Sequence, residues 1–145
     1  MSRTVSQRRA EFALEFVNSY LANARPTDVD KMSTHINKTP IRILQNGLGQ
    51  ALAFLLADAE GKATPAQRLY DEMQKWLCGQ RDRDLFPCRV YSDGPTSHLM
   101  RQLVEGDRAK YLAAQEEALR LFTWLKKFAD AYLSVPAVSQ SRGAR

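Results

Sequence analysis

The chain has 145 residues, of which 44% are hydrophobic, and its formal net charge is +5. These values fit one domain with a single core, and Cys78 and Cys88, the two cysteines of the sequence, exclude a disulfide framework. No apolar run approaches the roughly 20 residues that cross a bilayer, and the basic N-terminus lacks the apolar segment of a signal peptide. We therefore expect a single-domain cytoplasmic protein without membrane association.

The first predicted elements are two helices. Apolar residues at helical spacing predict a helix over about residues 6–24, which ends before Arg25-Pro26. Thr27, with Asp30 three residues later, has the spacing of an N-terminal capping box. This cap predicts a second, shorter helix over about residues 28–37.

Thr39-Pro40 predicts the start of a third helix over about residues 40–58. A threonine hydroxyl accepts an unpaired backbone N–H at a helix start, and proline has no N–H to leave unpaired. Four leucines of this helix are predicted to face the core: Leu44, Leu48, Leu52 and Leu55. Gly47 and Gly49 each cost about 1 kcal/mol relative to alanine inside a helix, so a backbone should approach them closely. For Gly47 we favour a neighbouring helix, whereas for Gly49 a neighbouring helix and a sugar–phosphate chain are equally acceptable.

Three more helices follow. Thr64-Pro65, with Gln67 three residues after the threonine, caps a fourth helix that ends near residue 79. Charged residues and prolines predict a loop over residues 81–95, and a short helix follows over residues 96–104. Asp107 caps the last helix, residues 108–133, whose apolar stripe is wide enough for the centre of a bundle. The predicted fold is an all-α bundle of about six helices over residues 1–133, with a flexible C-terminal tail over residues 134–145.

The sequence carries no pattern of catalytic or metal-binding side chains. His35 and His98 have no other histidine or cysteine at metal-ligand spacing, so we interpret both as surface or packing residues. Gly61-Lys62-Ala63-Thr64 lacks the earlier glycine and the preceding strand of a phosphate-binding loop. Glu116 and Glu117 point about 100° apart on a helix, and we interpret both as solvated charges. We expect no reaction, no metal and no cofactor.

Two stretches of the sequence carry a family resemblance. The first, residues 41–55, contains a basic residue, Asn46-Gly47-Leu48 and an apolar run. The second, residues 111–129, contains Glu117-Ala118-Leu119 and Trp124-Leu125-Lys126. Together and in this order, they resemble the small helical subunit of the type III-B (Cmr-type) CRISPR effector complex, the fifth protein of the Cmr module.

The resemblance implies a role without chemistry. Members of this family are helical proteins that stack in a short row beside a filament of larger subunits, where they help to line the channel of the guide–target duplex. Target cleavage and nucleotide cyclisation belong to other subunits. The partners implied are the other Cmr subunits, further copies of this chain, the guide RNA and the target RNA.

The candidate RNA-contacting residues are Lys38, Arg42, Gln45, Asn46, Lys126 and Lys127. Those of the third predicted helix lie opposite its inward leucines, and an arginine guanidinium suits phosphate oxygens. An ion pair with a carboxylate is the alternative for Arg42. Plain solvation is the alternative for Lys126, and an exposed ion pair with Asp130 is the alternative for Lys127. Arg8 and Arg9 form a further basic site, in which Arg9 is the freer residue.

Four aromatic residues of the last helix are predicted to belong to the core: Tyr111, Trp124, Phe128 and Tyr132. We therefore expect recognition of RNA backbone and shape, without base-specific readout. A helical protein–protein adaptor or inhibitor without RNA binding is the main alternative function, and a small helical enzyme is the second. RNA affinity with its salt dependence would distinguish the first alternative, and metal-dependent turnover the second.

Overall fold

A computed structural model describes residues 3–79 and 98–133, and the secondary structure within these ranges is helical, without a strand. The helices are α1 (Val5–Asn23), α2 (Pro26–Asn46), α3 (Leu48–Ala59), α4 (Pro65–Gly79), α5 (His98–Glu105) and α6 (Arg108–Phe128), which continues as a π-helix over Ala129–Leu133. The predicted all-α fold is confirmed. The predicted 81–95 loop and 134–145 tail lie outside the described residues.

One core joins these helices. α6 contacts α1, α2, α3 and α4, as its wide apolar stripe predicts, and α2 also packs against α3 and α4. The largest side chains without appreciable exposure come from these helices and include Trp76, Tyr70, Phe122, Met32, Ile36 and Leu52. The last helix therefore lies against most of the others, and its contacts determine which faces of those helices are turned to solvent.

Side-chain caps begin three of the helices. Thr64 Oγ1 accepts the Gln67 N–H at 3.4 Å, and Pro65 is the first residue of α4, as predicted. Asp107 accepts the Lys110 N–H at 2.8 Å and starts α6, also as predicted. A further capping box at Thr4 begins α1. These helix starts depend on local hydrogen bonds alone, which is why the caps at Thr64 and Asp107 could be predicted from the sequence.

The predicted caps at Thr27 and Thr39 are wrong, because α2 is one continuous helix through both. α2 begins at Pro26, and its N-cap residue Arg25 makes no side-chain capping bond. Pro40 lies inside the helix, and the Thr39 hydroxyl donates to the His35 carbonyl at 2.6 Å rather than capping. An interior proline costs about 3 kcal/mol, since it removes a helix hydrogen bond. The apolar face that α2 buries on both sides of Pro40 offsets this cost.

The helix break falls at Gly47 instead. Its φ of 90° and ψ of 162° lie in a region that is essentially restricted to glycine. Leu48, Leu52 and Leu55 are buried as predicted, but Leu44 is 73% exposed. The inward prediction for Leu44 is wrong because this residue belongs to α2, where it lies about 100° from the buried Ile43.

The turn between α2 and α3 docks directly on α6. The Leu48 N–H donates to Gln115 Oε1 at 2.9 Å, and the Gly49 N–H donates to Tyr111 Oη at 2.8 Å. A Cβ atom on Gly47 would lie 3.0 Å from Tyr111 Oη, and one on Gly49 would lie 3.2 Å from the same atom. A neighbouring helix thus explains both glycines, and at Gly49 this resolves the two alternatives that the sequence leaves open.

A buried charge cluster links three helices. Arg9 of α1 donates through Nε and a terminal nitrogen to the two carboxylate oxygens of Glu117 on α6, at 2.6 and 2.8 Å. Trp76 Nε1 of α4 donates to Glu117 Oε2 at 2.9 Å. The hydrogen bond with Glu117 raises the pKa of Arg9 above its ordinary value. The predictions that Arg9 is the freer of the two N-terminal arginines and that Glu117 is solvated are therefore wrong, because the charges of Arg9 and Glu117 neutralise each other in the core.

Removing one partner of this cluster should lower the free energy of unfolding. Glu117→Ala leaves the buried Arg9 guanidinium without its carboxylate, and we expect the free energy of unfolding to fall by about 3–5 kcal/mol. The matched control is Glu116→Ala on the exposed side of α6, which should cost no more than about 1 kcal/mol. Urea denaturation of both variants measures this difference. Equal losses in the two variants would contradict the stabilising role of the cluster.

The substitution Gly47→Ala tests whether the turn between α2 and α3 requires glycine. The added methyl group meets both a backbone conformation that alanine avoids and the Tyr111 hydroxyl, so we expect a loss of about 1–3 kcal/mol in the free energy of unfolding. Gly61→Ala is the control, because Gly61 also has a positive φ, of 73°, but its Cβ would meet nothing within 4 Å. A thermal or urea unfolding series should show the larger loss for Gly47→Ala.

Candidate nucleic-acid interface

Three of the candidate residues share the solvent side of α2. Lys38, Arg42 and Gln45 follow one another at helical spacing, on the side opposite the buried Ile36 and Ile43. Lys38 and Gln45 are exposed, and Arg42 is half-buried. The polar face predicted from the sequence is therefore present, although its helix begins earlier than expected.

Asn46 is the last residue of α2 and is exposed beside the Gly47 turn. The amide thus lies at the tip of the α2–α3 hairpin, one turn further along the helix than Arg42. Its backbone neighbour Gly47 approaches α6 closely, so the position of Asn46 is fixed by the docked turn.

Arg42 packs on an aromatic ring instead of a carboxylate. Its guanidinium carbon lies 3.6 Å from the centroid of the Phe54 ring on α3, which is a cation–π arrangement. No carboxylate of residues 3–79 or 98–133 pairs with Arg42. Phe54 is 47% exposed, and the sequence analysis overlooked it. The available signal was an aromatic residue outside the apolar stripe formed by Leu48, Leu52 and Leu55.

The α2–α3 hairpin is basic along its outer side. The sequence from Lys38 to Ala57 contains no aspartate or glutamate, so the charges of Lys38 and Arg42 are not offset within it. Burial lowers the pKa of His35, Asp58 acts in the opposite direction, and Arg42 and Lys38 lower the pKa further. Two cations on the solvent side of one helix attract anionic ligands.

Lys126 and Lys127 lie across a groove from the other flank of α2. The groove has a volume of about 540 Å³, and Pro40, Leu44 and Phe122 contribute to its apolar lining. Both lysines are exposed on its rim. The two lysines therefore lie beside α2, on the flank opposite the one that carries Lys38 and Arg42.

The aromatic residues of the last helix behave as predicted with one exception. Trp124 and Phe128 pack partly buried against the core, with ring centroids 5.7 Å apart, and Tyr111 is also partly buried. Tyr132, however, is exposed. Its helical phase differs from the predicted one because α6 widens into a π-helix after Phe128.

Two other polar residues singled out in the sequence have structural partners. Glu116 forms an ion pair with Arg120 on the surface of α6. His35 is half-buried, with Nε2 3.4 Å from Asp58, and the packing interpretation of His35 is correct. In the part of the chain that the structure describes, no group of three metal-ligating side chains occurs, and no helix is long and apolar enough to span a bilayer.

Comparison with known proteins decides the family. The model of the CRISPR-associated protein family Cas_Cmr5 matches residues 5–132. The crystal structure of a CRISPR-associated Cmr5 family protein from Thermus thermophilus is similar, with 30% sequence identity and a TM-score of 0.65. The match covers 90% of this chain and 97% of that one. The chain belongs to the Cmr5 family.

This result confirms the resemblance drawn from the two sequence stretches. The Cmr5 family match spans both of them and includes all six candidate RNA-contacting residues. The assignment links the chain to CRISPR systems, whereas the RNA contacts themselves stay predictions that rest on the geometry of the α2–α3 hairpin and of α6.

His35 should make stability depend on pH. Burial lowers its pKa below the ordinary value of 6.5, so the unfolded chain binds the proton more readily than the folded one. The contribution is fully present above about pH 6.5 and is lost as the pH falls through the folded-state pKa. Urea midpoints measured from about pH 7.5 to about pH 5 should therefore fall more steeply for the wild type than for His35→Gln. Parallel curves would show that His35 does not titrate in this way.

Proposed function

We propose that this Cmr5 family protein is a non-catalytic subunit of a Cmr-type CRISPR ribonucleoprotein and contacts the backbone of the guide–target RNA. The observation that carries the proposal is the basic outer side of the α2–α3 hairpin, where Lys38 and Arg42 lie on the solvent side of α2 and no acidic residue occurs between Lys38 and Ala57. Phosphate groups are the ligands that such a surface attracts most strongly.

The contact is to backbone and shape. Lys38 supplies a point charge and Arg42 a planar fork of donors, both of which suit phosphate oxygens. Gln45 and Asn46 add amide groups that can donate to a phosphate or to a ribose hydroxyl. The 2′-hydroxyl groups and phosphates of an A-form duplex are accessible without reading the bases. Recognition on this basis is independent of sequence, as a subunit that serves many guides requires.

Lys126 and Lys127 form the second part of the proposed contact. They lie on α6 beside the flank of α2 that faces away from Phe54. A nucleic-acid strand that runs across α2 would pass from one pair of cations to the other. Few charges per chain give weak binding, and several copies aligned in one complex would add their contacts through effective concentration.

Proposed partners are the other Cmr subunits and further copies of this chain. Exposed apolar side chains support protein contacts, and Leu44 and Ile41 are the clearest examples, both on α2. The apolar groove between α2 and α6 also favours the alternative function, a protein adaptor without RNA binding. RNA binding requires the positive charges of the lysines at the rim of this groove, whereas the adaptor function does not.

A role without chemistry is supported by the use of the acidic residues. Glu117 neutralises Arg9 in the core, and Glu116 pairs with Arg120 on the surface. Both carboxylates thus serve as ion-pair partners. We propose that cleavage of the target takes place on other subunits.

Salt dependence tests the RNA contact. The full-length chain is titrated with a guide–target RNA duplex at several salt concentrations, and Lys38→Ala and Lys126→Ala should each reduce the slope of log affinity against log salt by about one unit. The control is Lys75→Ala, which removes an exposed lysine on α4 that lies 3.4 Å from Glu72.

The slope of the control should equal that of the wild type. Wild-type binding that does not weaken with salt, or equal slopes for all four proteins, would reject the RNA contact. Retained binding to a protein subunit in that case would favour the adaptor function.

A further inference from the structure

We propose that Phe54 and Arg42 form a stacking platform for one unpaired nucleobase of the bound RNA. This inference rests on the proposed RNA contact and adds to it a second kind of interaction. The backbone contact is electrostatic, whereas the platform would act through the planar surfaces of an aromatic ring and a guanidinium group.

The Phe54 ring is accessible for stacking with a base. Phe54 is 47% exposed and lies outside the apolar stripe through which α3 enters the core. The Arg42 guanidinium carbon lies 3.6 Å from the ring centroid, a distance of direct contact. Guanidinium and aromatic planes both stack on nucleobases, so a base can extend the stack that Arg42 and Phe54 already form.

The charges around the ring favour RNA over a protein as its occupant. Arg42 lies on the Phe54 ring, Lys38 precedes Arg42 by one turn of α2, and no acidic residue occurs in the hairpin between Lys38 and Ala57. Aromatic rings among cations are the combination that single-stranded nucleic-acid sites use, because each nucleotide offers a π-face and a phosphate. The groove with apolar lining around Leu44 and Pro40 lies on the opposite flank of α2 and borders α6.

The base must be unpaired. Inside an A-form duplex the base faces are covered by their stacked neighbours, and only edges and backbone are accessible from outside. A ring on the convex outer side of a helical hairpin can reach the face of a base only where the strand is single or the base is turned outward. Because every base has a π-face, the platform requires no particular sequence.

Substitution of Phe54 separates stacking from charge. With the full-length chain and a single-stranded RNA, Phe54→Leu should lower the affinity by about tenfold, within the range measured for loss of one base–aromatic stack. The loss should be the same factor at each salt concentration, since no phosphate contact is removed. Phe54→Trp should keep the wild-type affinity or exceed it. The control is Leu112→Ala, which removes a similarly exposed apolar side chain on α6 and should change nothing.

A second measurement locates the base. A series of RNAs, each with a single abasic site that keeps the sugar and phosphates, should show one position where the wild type loses affinity by a similar factor. Phe54→Leu should bind this RNA and its intact counterpart equally well. A wild-type protein that is insensitive to every abasic position would overturn the platform.

The outcomes distinguish the platform from the RNA contact on which it rests. If Lys38→Ala lowers the salt slope while Phe54→Leu binds RNA like the wild type, the backbone contact stands and the platform is wrong. If the wild type does not bind RNA, both fail. If Phe54→Leu weakens binding to another subunit of the complex but leaves RNA affinity unchanged, Phe54 is a protein contact and the platform is again wrong.

Discussion

The bidentate ion pair between Arg9 and Glu117 is the constraint on which the arrangement of the helices depends. A charge buried in the core is tolerated only with a well-placed partner, and here the Trp76 indole N–H donates to the same carboxylate. The cluster therefore fixes α1 and α4 against α6. Because each donor must reach Glu117, alternative registers of these helices would leave a charge or a polar group without its partner.

The position of the α2–α3 hairpin follows from the same helix. Tyr111 and Gln115, which precede Glu117 on α6, accept the Gly49 N–H and the Leu48 N–H, respectively. Glycine at position 47 allows both the sharp turn and the close approach. The inner side of the hairpin is thus held by α6, which leaves its basic outer side, with Arg42 on Phe54, facing solvent. The positions of the residues proposed to contact RNA are therefore set by packing contacts that other residues make.

The sequence predicted the local features better than the long-range ones. The caps at Thr64 and Asp107 depend on hydrogen bonds within one turn, so their signals are complete in a few residues. Thr39-Pro40 has the same local signal, but the apolar face that α2 buries across it outweighs the cost of the interior proline. Partners distant in the sequence carried no pattern at all: neither the pairing of Glu117 with Arg9 nor that of Arg42 with Phe54 could be read from spacing.

We propose that this Cmr5 family protein works inside a CRISPR ribonucleoprotein and contacts its RNA. Affinity purification of a tagged copy from its native host, with sequencing of the RNA that copurifies and identification of the associated proteins, tests it most directly. Recovery of guide RNAs derived from CRISPR repeats, together with the larger Cmr subunits, is the predicted result. Recovery of a single protein partner without RNA would contradict the account and favour the adaptor function, while the helical fold would stand.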